Sequence, residues 1–345
     1  MRKVRKVARI EDKGKGLVIE DFEHFVSVDW SQHTMAVAHM TRQSKKPVVF
    51  ERQAALIDLK KYFGSLRGRT VVTVEETTTA QWLYLELRDV VDRIIICDPL
   101  HNRWLCHGPK TDRIDADKLC ILLRSGLLKE VFHSADELYE LRSLVSAYED
   151  VVRSGVRALN QHSALERGHR DQGKNASFIL EHLHKNIEIY HETKEHYETK
   201  FEDLVRHNKF AKSLLSVSGI GTIGAVKIIA TVIEAKRFAT RGHFLSYCGL
   251  VKHEKLSGGR SYGRRMPRYS HTLKAVYKTA AMAAIRGKNP IREYYDYLLG
   301  KGIAEHNARH AVARYIARIT YGILKTGTRY DPYRWRKIVT KEQVA

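Results

Sequence analysis

The sequence predicts a mixed α/β N-terminal region, then long helices, then a mainly α-helical C-terminal region. Short β-branched runs alternate with helical runs up to about residue 124, as in a sheet with helices packed on it. Beyond about residue 135, apolar residues recur at three- and four-residue steps, which is the period of a helix. We therefore predict a basic arm at 1–24, an α/β domain at 25–134, a helical region at 135–211 and a C-terminal domain at 212–345.

The balance of charges indicates a polyanionic partner. The chain has 345 residues, with 60 Lys and Arg against 39 Asp and Glu, for a formal net charge of +21. Nucleic acid is the first expectation for such a chain, and a membrane surface is the rival. The sequence has no apolar run of about 18 residues and no signal peptide, so we expect no membrane partner. Four cysteines without a Cys-x-x-Cys pair predict a reduced, cytoplasmic protein.

The N-terminal elements follow from the hydrophobic pattern. Strands are predicted at Phe25–Trp30, Thr34–Met40, Pro47–Glu51, Thr70–Val74 and Arg93–Cys97. Helices are predicted at about Ala54–Phe63 and Gln81–Val91, and an acidic helix follows that includes Leu119–Arg124. The order of these elements is that of a mixed sheet covered by helices.

Acidic residues stand at the ends of these elements. Asp29 ends the first strand, Glu75 or Glu76 ends the fourth, and Asp112 and Asp115 share a face of the acidic helix. Each has a simpler explanation, because strand ends are solvated and Asp112 could cap its helix with Asp115 in the first turn. Taken together, they suit a two-metal site for phosphoryl transfer.

The middle region contains two long helical patterns, separated by the polar stretch Glu166–Asn175. Leucine, valine and aromatic residues recur at helical spacing on both sides of that stretch, from Leu138 to Leu159 and from Leu180 to Leu204. Two such helices form either a coiled coil between chains or a helical hairpin within one chain, and the sequence barely separates the two.

The C-terminal region opens with a Gly-x-Gly turn, Gly219 to Gly221, before the apolar helix Ile223–Ile233. Such a turn can present backbone N–H groups to a phosphate. A basic, glycine-rich loop follows, in which Leu250 to Lys274 contains seven Lys or Arg and one acid, Glu254. Ser257 lies in this loop beside two glycines, and its local sequence favours a turn serine over a nucleophile.

Three amphipathic helices close the C-terminal region, at Leu273–Arg286, Ile291–Leu299 and Ile303–Lys325. On the last of them a basic stripe recurs at four-residue spacing, at His310, Arg314 and Arg318. Such a stripe is either a solvated face or a nucleic-acid contact, and the high positive charge of the chain favours contact.

These motifs resemble those of the DEDD transposases, the family of the Piv-type invertases and the bridge-RNA-guided recombinases. The resemblance is carried by Asp29 in VSVDWSQH, Glu76 in VEETTTAQW, and Asp112 with Asp115 in KTDRIDA. Glu76 is preferred to Glu75 because the family pattern has Thr one or two residues later and an aromatic about six residues later. The choice between the two glutamates stays open.

The resemblance extends to the C-terminal region, where Tyr247-Cys-Gly-Leu250 precedes Ser257-Gly258 as in the family's serine motif. The family would have Pro at Ser218, and Gly-Asn within Tyr269–Thr272, so the chain departs from the pattern at both places. Ser261 is the fallback nucleophile. The predicted nucleic-acid contacts are Gly219, Gly221, Lys255, Arg260, Arg264, Arg265 and Arg268.

The resemblance implies an RNase H-like, RuvC-like N-terminal domain, a coiled-coil insertion for assembly, and Mg²⁺ or Mn²⁺ held by the four acids. It implies a site-specific recombinase of the prokaryotic cytoplasm or nucleoid that joins donor and target DNA through a phosphoserine. It also implies a structured guide RNA and a dimer of dimers, in which acids and serine come from different subunits. The alternatives are a RuvC-like nuclease of the Holliday-junction type, in which water is the nucleophile, and a non-catalytic nucleic-acid-binding relic.

Overall fold

The computed structural model describes residues 18–99, 111–133, 138–168, 173–327, 330–333 and 335–336. Most of the predicted basic arm lies outside these ranges, as do residues 100–110, which include the first residue of the KTDRIDA motif, Lys110. The chain divides into two compact units, Met1–Asp136 and Glu137–Ala345.

The first unit is built on a five-stranded sheet with the order β3-β2-β1-β4-β5. Its strands are β1 His24–Trp30, β2 Thr34–Thr41, β3 Val48–Gln53, β4 Thr70–Glu75 and β5 Arg93–Cys97. The first three form an antiparallel meander, and β4 and β5 continue the sheet in parallel with β1. The mixed α/β prediction is therefore confirmed, with strand bounds that agree within two residues.

Alternation along the strands gives the sheet two buried faces. The even-numbered residues Val26 and Val28 of β1 pack with helices α1 (Leu56–Ser65) and α2 (Ala80–Leu87). The odd-numbered Phe25 packs on the opposite face with helix α3 (Asp112–Arg124). A one-residue change of position along these strands therefore moves a side chain from one helix layer to the other.

Two long antiparallel helices open the second unit, α4 (Leu138–Arg167) and α5 (Lys174–His207). Tyr148 of α4 packs against Phe201 of α5, with ring centroids 5.1 Å apart, and its hydroxyl donates to Glu198 at 2.8 Å. Further along, Gly155 lies directly against the ring of Tyr190. The two predicted helices are thus present as a hairpin within the chain. A coiled coil with a second chain stays a prediction.

The rest of the second unit is helical apart from one pair of strands. Its elements are α6 Lys209–Leu215, α7 Thr222–Val232, α8 Arg241–Tyr247, β6 His253–Ser257, β7 Arg260–Arg265, α9 His271–Ala284, α10 Pro290–Gly300 and α11 Glu305–Thr326. Short 3₁₀ turns occupy Ile19–Asp21 in the first unit and Ala235–Arg237 in the second.

A single hydrophobic core joins the base of the α4–α5 hairpin to these helices, so both predicted regions belong to one compact unit. Tyr277 lies at its centre, fully buried, and its hydroxyl is hydrogen-bonded to Thr320 at 2.8 Å. Within the described ranges, no helix has the length and apolarity needed to cross a membrane.

Candidate functional site

Asp29 and Glu75 lie side by side on the sheet. Asp29 is the next-to-last residue of β1 and pairs with Ala36 of β2. On its other side, β1 and β4 run in parallel with Val28 opposite Val74, so the next residues along these strands are Asp29 and Glu75. Adjacent strands are about 4.8 Å apart, and both carboxylates project from the α3 face of the sheet.

Helix α3 crosses this face antiparallel to β1. The Ser27 hydroxyl donates to the carbonyl of Ala116 at 2.5 Å, and the Cys120 thiol contacts the carbonyl of Phe25 at 3.3 Å. Four helical residues rise about 6 Å, which matches about 6.6 Å for two strand residues. A further four residues toward the N-terminus of the helix correspond to a further two residues along the strand. The N-terminal turn of α3 therefore lies alongside the Asp29 end of β1.

Asp112 and Asp115 lie in that N-terminal turn, on the side of α3 that faces the sheet. Each precedes a buried residue by one helical turn, Asp112 before Ala116 and Asp115 before Leu119. The strand register and the helix packing thus put the backbone positions of four acids at one edge of one sheet face, and a role in metal binding stays a prediction. We call Asp29, Glu75, Asp112 and Asp115 the acidic edge.

The helix cap is a neighbouring residue, so Asp112 is not needed for it. Thr111 is the N-cap, and its hydroxyl accepts from the backbone N–H of Ile114 at 3.2 Å. The simpler explanation that Asp112 caps the helix is therefore wrong, although the helix dipole favours any acid in this turn. Asp117 lies one turn before the exposed Ile121 and so on the other side of the helix, as the spacing predicts.

Glu76 takes a different direction from Glu75. Its carboxylate bonds to His133 Nε2 at 2.5 Å, and Nδ1 of that ring bonds to the amide oxygen of Gln81 in α2 at 2.5 Å. The His133 side chain is only 5% exposed. Glu76 is thereby held toward the α2 layer, while alternation directs Glu75 to the α3 layer with Asp29. The assignment of Glu76 as a metal ligand stays a prediction, and the backbone geometry favours Glu75.

A pocket of about 280 Å³ adjoins the acidic edge, and Glu51 and Asp112 both line it. Glu51 of β3 pairs with Ala36, so it lies in the same cross-strand row as Asp29 and was missed as a candidate. The sequence signal that could have identified Glu51 was its position at the end of a predicted strand. Among the residues that the structure describes, no three His, Cys, Asp or Glu side chains are grouped closely enough to hold a metal ion.

Ser257 lies at the tip of an exposed two-stranded ribbon formed by β6 and β7. It pairs with Arg260 across a two-residue turn in which Gly258 and Gly259 have φ of 55° and 78°. Two successive left-handed residues define the tight hairpin turn that glycine favours. The predicted basic, glycine-rich loop is therefore a β-hairpin, and the Gly-Gly pair was the sequence signal for it.

The ribbon has two chemically different faces. Ser257 pairs with Arg260, and Leu256 with Ser261. A bulge then sets Lys255 against the two residues Tyr262 and Gly263, because Glu254 pairs with Arg264. We call the Ser257 side the front face and the Leu256 side the back face. The front face comprises His253, Lys255, Ser257, Arg260, Tyr262 and Arg265, and the back face comprises Glu254, Leu256, Ser261 and Arg264.

These faces separate the two candidate serines. Ser257 shares its face with Lys255, Arg260 and Arg265, whereas Ser261 shares its face with the exposed Leu256. The carboxylate of the ribbon, Glu254, lies on the back face at 3.6 Å from Arg264. The front face is therefore a cationic surface suited to phosphate, and Ser257 belongs to it.

Two family models match the chain, one in each region that carries these features. A transposase model of the IS110 DEDD type matches residues 26–167, and the model of the transposase IS116/IS110/IS902 family matches residues 211–296. The chain belongs to this DEDD transposase family. The first match contains the whole acidic edge, and the second contains the ribbon with Ser257.

Individual relatives agree with this membership. The chain is 27% identical to an insertion element IS110 protein of Streptomyces coelicolor, over 44% of this chain and 38% of that protein. It is 22% identical to a "Probable family 20 transposase" of Pseudomonas aeruginosa, over 83% of this chain and 92% of the relative. It is also 22% identical to the transposase of insertion element IS1328 of Yersinia enterocolitica, over 55% of this chain and 63% of the relative.

The Gly-x-Gly turn of this chain has a structural reason for its first glycine. Gly219 has φ of 91°, and a Cβ atom there would lie 2.1 Å from the carbonyl oxygen of Ala280 in α9. Gly221 is the N-cap of α7 and has open space around its Cα. Close packing on α9 thus accounts for Gly219, and phosphate binding by this turn stays a prediction.

The predicted basic stripe of α11 lies where that helix packs against α9. Burial and then the positive charges of Lys278 and Arg314 lower the pKa of His310. His306 and Lys274 add to this effect, so the stripe of α11 continues onto α9. Arg268, the last predicted contact, is exposed between β7 and α9. A role of these cations in binding nucleic acid stays a prediction.

Proposed function

We propose that this transposase joins donor and target DNA through a serine–phosphate intermediate, using the acidic edge and Ser257. The observation that supports the proposal is the acidic edge, in which the register of two strands and the packing of one helix put four acids at one edge of the same sheet face. The strand order β3-β2-β1-β4-β5, with a meander followed by parallel strands, supports an RNase H-like domain of the RuvC type.

The acidic edge fits a hard divalent cation by the chemistry of its donors. Asp29, Glu75, Asp112 and Asp115 offer carboxylate oxygens, which Mg²⁺ and Mn²⁺ prefer. When bound, such an ion lowers the pKa of a hydroxyl and neutralises charge on a phosphate. Glu76 is the alternative to Glu75 as a ligand, and their separate variants decide between them.

Ser257 is the proposed nucleophile because the ribbon presents it beside cations. Its Oγ forms a bond to a backbone phosphorus atom and loses its proton, while the sugar oxygen leaves and is protonated to a hydroxyl. Attack by the hydroxyl of a partner strand reverses these steps and frees the serine. The bond energy of the phosphodiester is kept in the intermediate, so rejoining needs no external energy source.

The proposal includes a guide RNA and a homo-oligomer, a dimer of dimers. Exposed apolar residues along the α4–α5 hairpin support assembly through a coiled coil: Val156, Leu165, Phe178, Ile179 and Ile189. Cations of the front face contact phosphate, which carries no sequence information, so reading of the DNA sequence is delegated to RNA pairing. The acids and the serine of one reaction would come from different subunits.

A structure-specific nuclease is the second candidate, because the acidic edge is complete within the first unit and does not depend on Ser257. In that case water would replace the serine hydroxyl as the nucleophile. The ribbon would then bind DNA without forming a covalent bond to it.

Trapping of a protein–DNA adduct separates the two functions. We expect end-labelled DNA to migrate with the denatured protein after reaction with Mg²⁺, and this adduct to be lost in Ser257→Ala. The matched control is Ser261→Ala on the back face, which should retain the adduct. Cleavage of DNA at the full rate by Ser257→Ala would rule out the serine mechanism and leave the nuclease.

A further inference from the structure

Tyr262 is an exposed aromatic residue on the same face of the ribbon as Ser257. Tyr262 is 65% exposed, and the ammonium of Lys255 lies 5.9 Å from the centroid of its ring. Lys255 and Tyr262 are opposite each other at the bulge, so this contact agrees with the face assigned from the register. The ring is thus held on the front face by a neighbour and remains open to solvent.

The spacing between Tyr262 and the tip of the ribbon is short. Tyr262 follows Arg260 by two residues, about 6.6 Å along the strand, and Arg260 is the cross-strand partner of Ser257. A strand of DNA whose phosphate meets Ser257 and Arg260 would therefore pass over the tyrosine within about one nucleotide. Aromatic rings flanked by cations are the usual platform for an unpaired base.

The charges of the front face identify its ligand as nucleic acid rather than a second protein. Lys255, Arg260 and Arg265 lie on the same face as the ring, and the carboxylate of the ribbon, Glu254, lies on the other face with Arg264. Phosphates neutralise such cations while a base stacks on the ring, so one ligand satisfies both features.

We propose that Tyr262 stacks on a nucleobase next to the phosphate attacked by Ser257 and holds that base out of the duplex stack. Tyr262 is then a substrate-contacting residue, and this contact requires the aromatic ring but not the hydroxyl. This inference deepens the proposed function, on which it rests for the role of Ser257.

Fluorescence of 2-aminopurine in a DNA oligonucleotide tests this proposal without chemistry. The full-length chain carries Ser257→Ala throughout, so cleavage does not contribute, and a single-stranded oligonucleotide with one central 2-aminopurine is the probe. We expect binding to change the fluorescence of the probe as the base stacks on Tyr262. Tyr262→Leu should lose this change and bind about tenfold more weakly, since stacking of one base is worth about that factor.

Two matched variants make the result specific. Tyr262→Phe keeps the ring and should keep the fluorescence change. Leu256→Ala removes a comparably exposed side chain, 62% exposed, from the back face and should also keep it. Because Ser257, Tyr262 and Leu256 are all on the exposed ribbon, circular dichroism and gel filtration should show folded protein for each variant.

Either of two results would overturn the inference: no fluorescence change with the parent chain, or an unaltered change in Tyr262→Leu. Failure of the proposed function would give a different result: the wild-type chain would form no Ser257-dependent adduct. A Tyr262-dependent signal without an adduct would keep the stacking role and reject the serine mechanism.

Discussion

The acidic edge and the ribbon hold their candidate functional side chains in opposite ways. Asp29 and Glu75 extend from strands whose central residues are buried, and α3 is tied to β1 by hydrogen bonds from Ser27 and Cys120. In the ribbon, every residue of both strands is exposed. One set of positions is fixed by a packed core, and the other is fixed by pairing of two strands alone.

This difference matches the tasks proposed for the two regions. Ligands of a small hard cation must converge within fractions of an ångström, which a packed sheet and helix can provide. A surface that follows a nucleic-acid backbone contacts a charged, flexible polymer and tolerates adjustment. We therefore expect substitutions on the acidic edge to abolish activity almost completely. Substitutions on the ribbon should reduce DNA binding only partly.

The largest expected effect comes from Asp112 on the acidic edge. Asp112→Asn removes a negative charge that is proposed to bind the metal, and we expect adduct formation to fall by about 10³-fold or more. Asp117→Asn is the matched control, because Asp117 is on the same helix but on the side of exposed Ile121. The measurement is the rate of adduct formation with labelled DNA and Mg²⁺. Equal losses in the two variants would show that the charge of the helix, and not the position, is what matters.

The next effect separates Glu75 from Glu76. Glu75→Gln should reduce adduct formation by about 100-fold or more, because Glu75 lies on the α3 face beside Asp29. Glu76→Gln keeps the hydrogen bond to His133 in neutral form and should cost less than about tenfold. Titration of each variant with Mn²⁺ by calorimetry gives a second measure. The opposite ranking of the two variants would move the ligand to Glu76.

The strands and helices of the first unit could be predicted because their residues are buried, and burial imposes a clear pattern. Thr70–Val74 is buried along its whole length and Arg93–Cys97 is buried after its first residue, as expected of strands covered on both faces. The direction of Glu75 and Glu76 could not be predicted in the same way. It depends on which residue is the last to pair with β1, and a shift of one position exchanges the two faces.

The ribbon was missed because it has no buried face to produce an alternating pattern. Its strands are rich in Lys and Arg, and the hairpin is specified by Gly258 and Gly259 and by the bulge at Gly263, which has φ of 139°. The charges and Ser257 were visible in the sequence. Their division between a front and a back face follows from the bulge, which only the pairing of the strands reveals.

The smallest expected effect compares two arginines of the ribbon. Arg260 is on the front face beside Ser257, whereas Arg264 is on the back face 3.6 Å from Glu254. We expect Arg260→Ala to remove one phosphate contact and so to lower the slope of log K against log salt by about one. Arg264→Ala should change the slope by much less, because its charge is already partly neutralised. Binding of a labelled duplex, measured by anisotropy from low to high salt, gives both slopes. Equal slopes for the two variants would mean that DNA contacts both faces, and the division of the ribbon would lose its functional meaning.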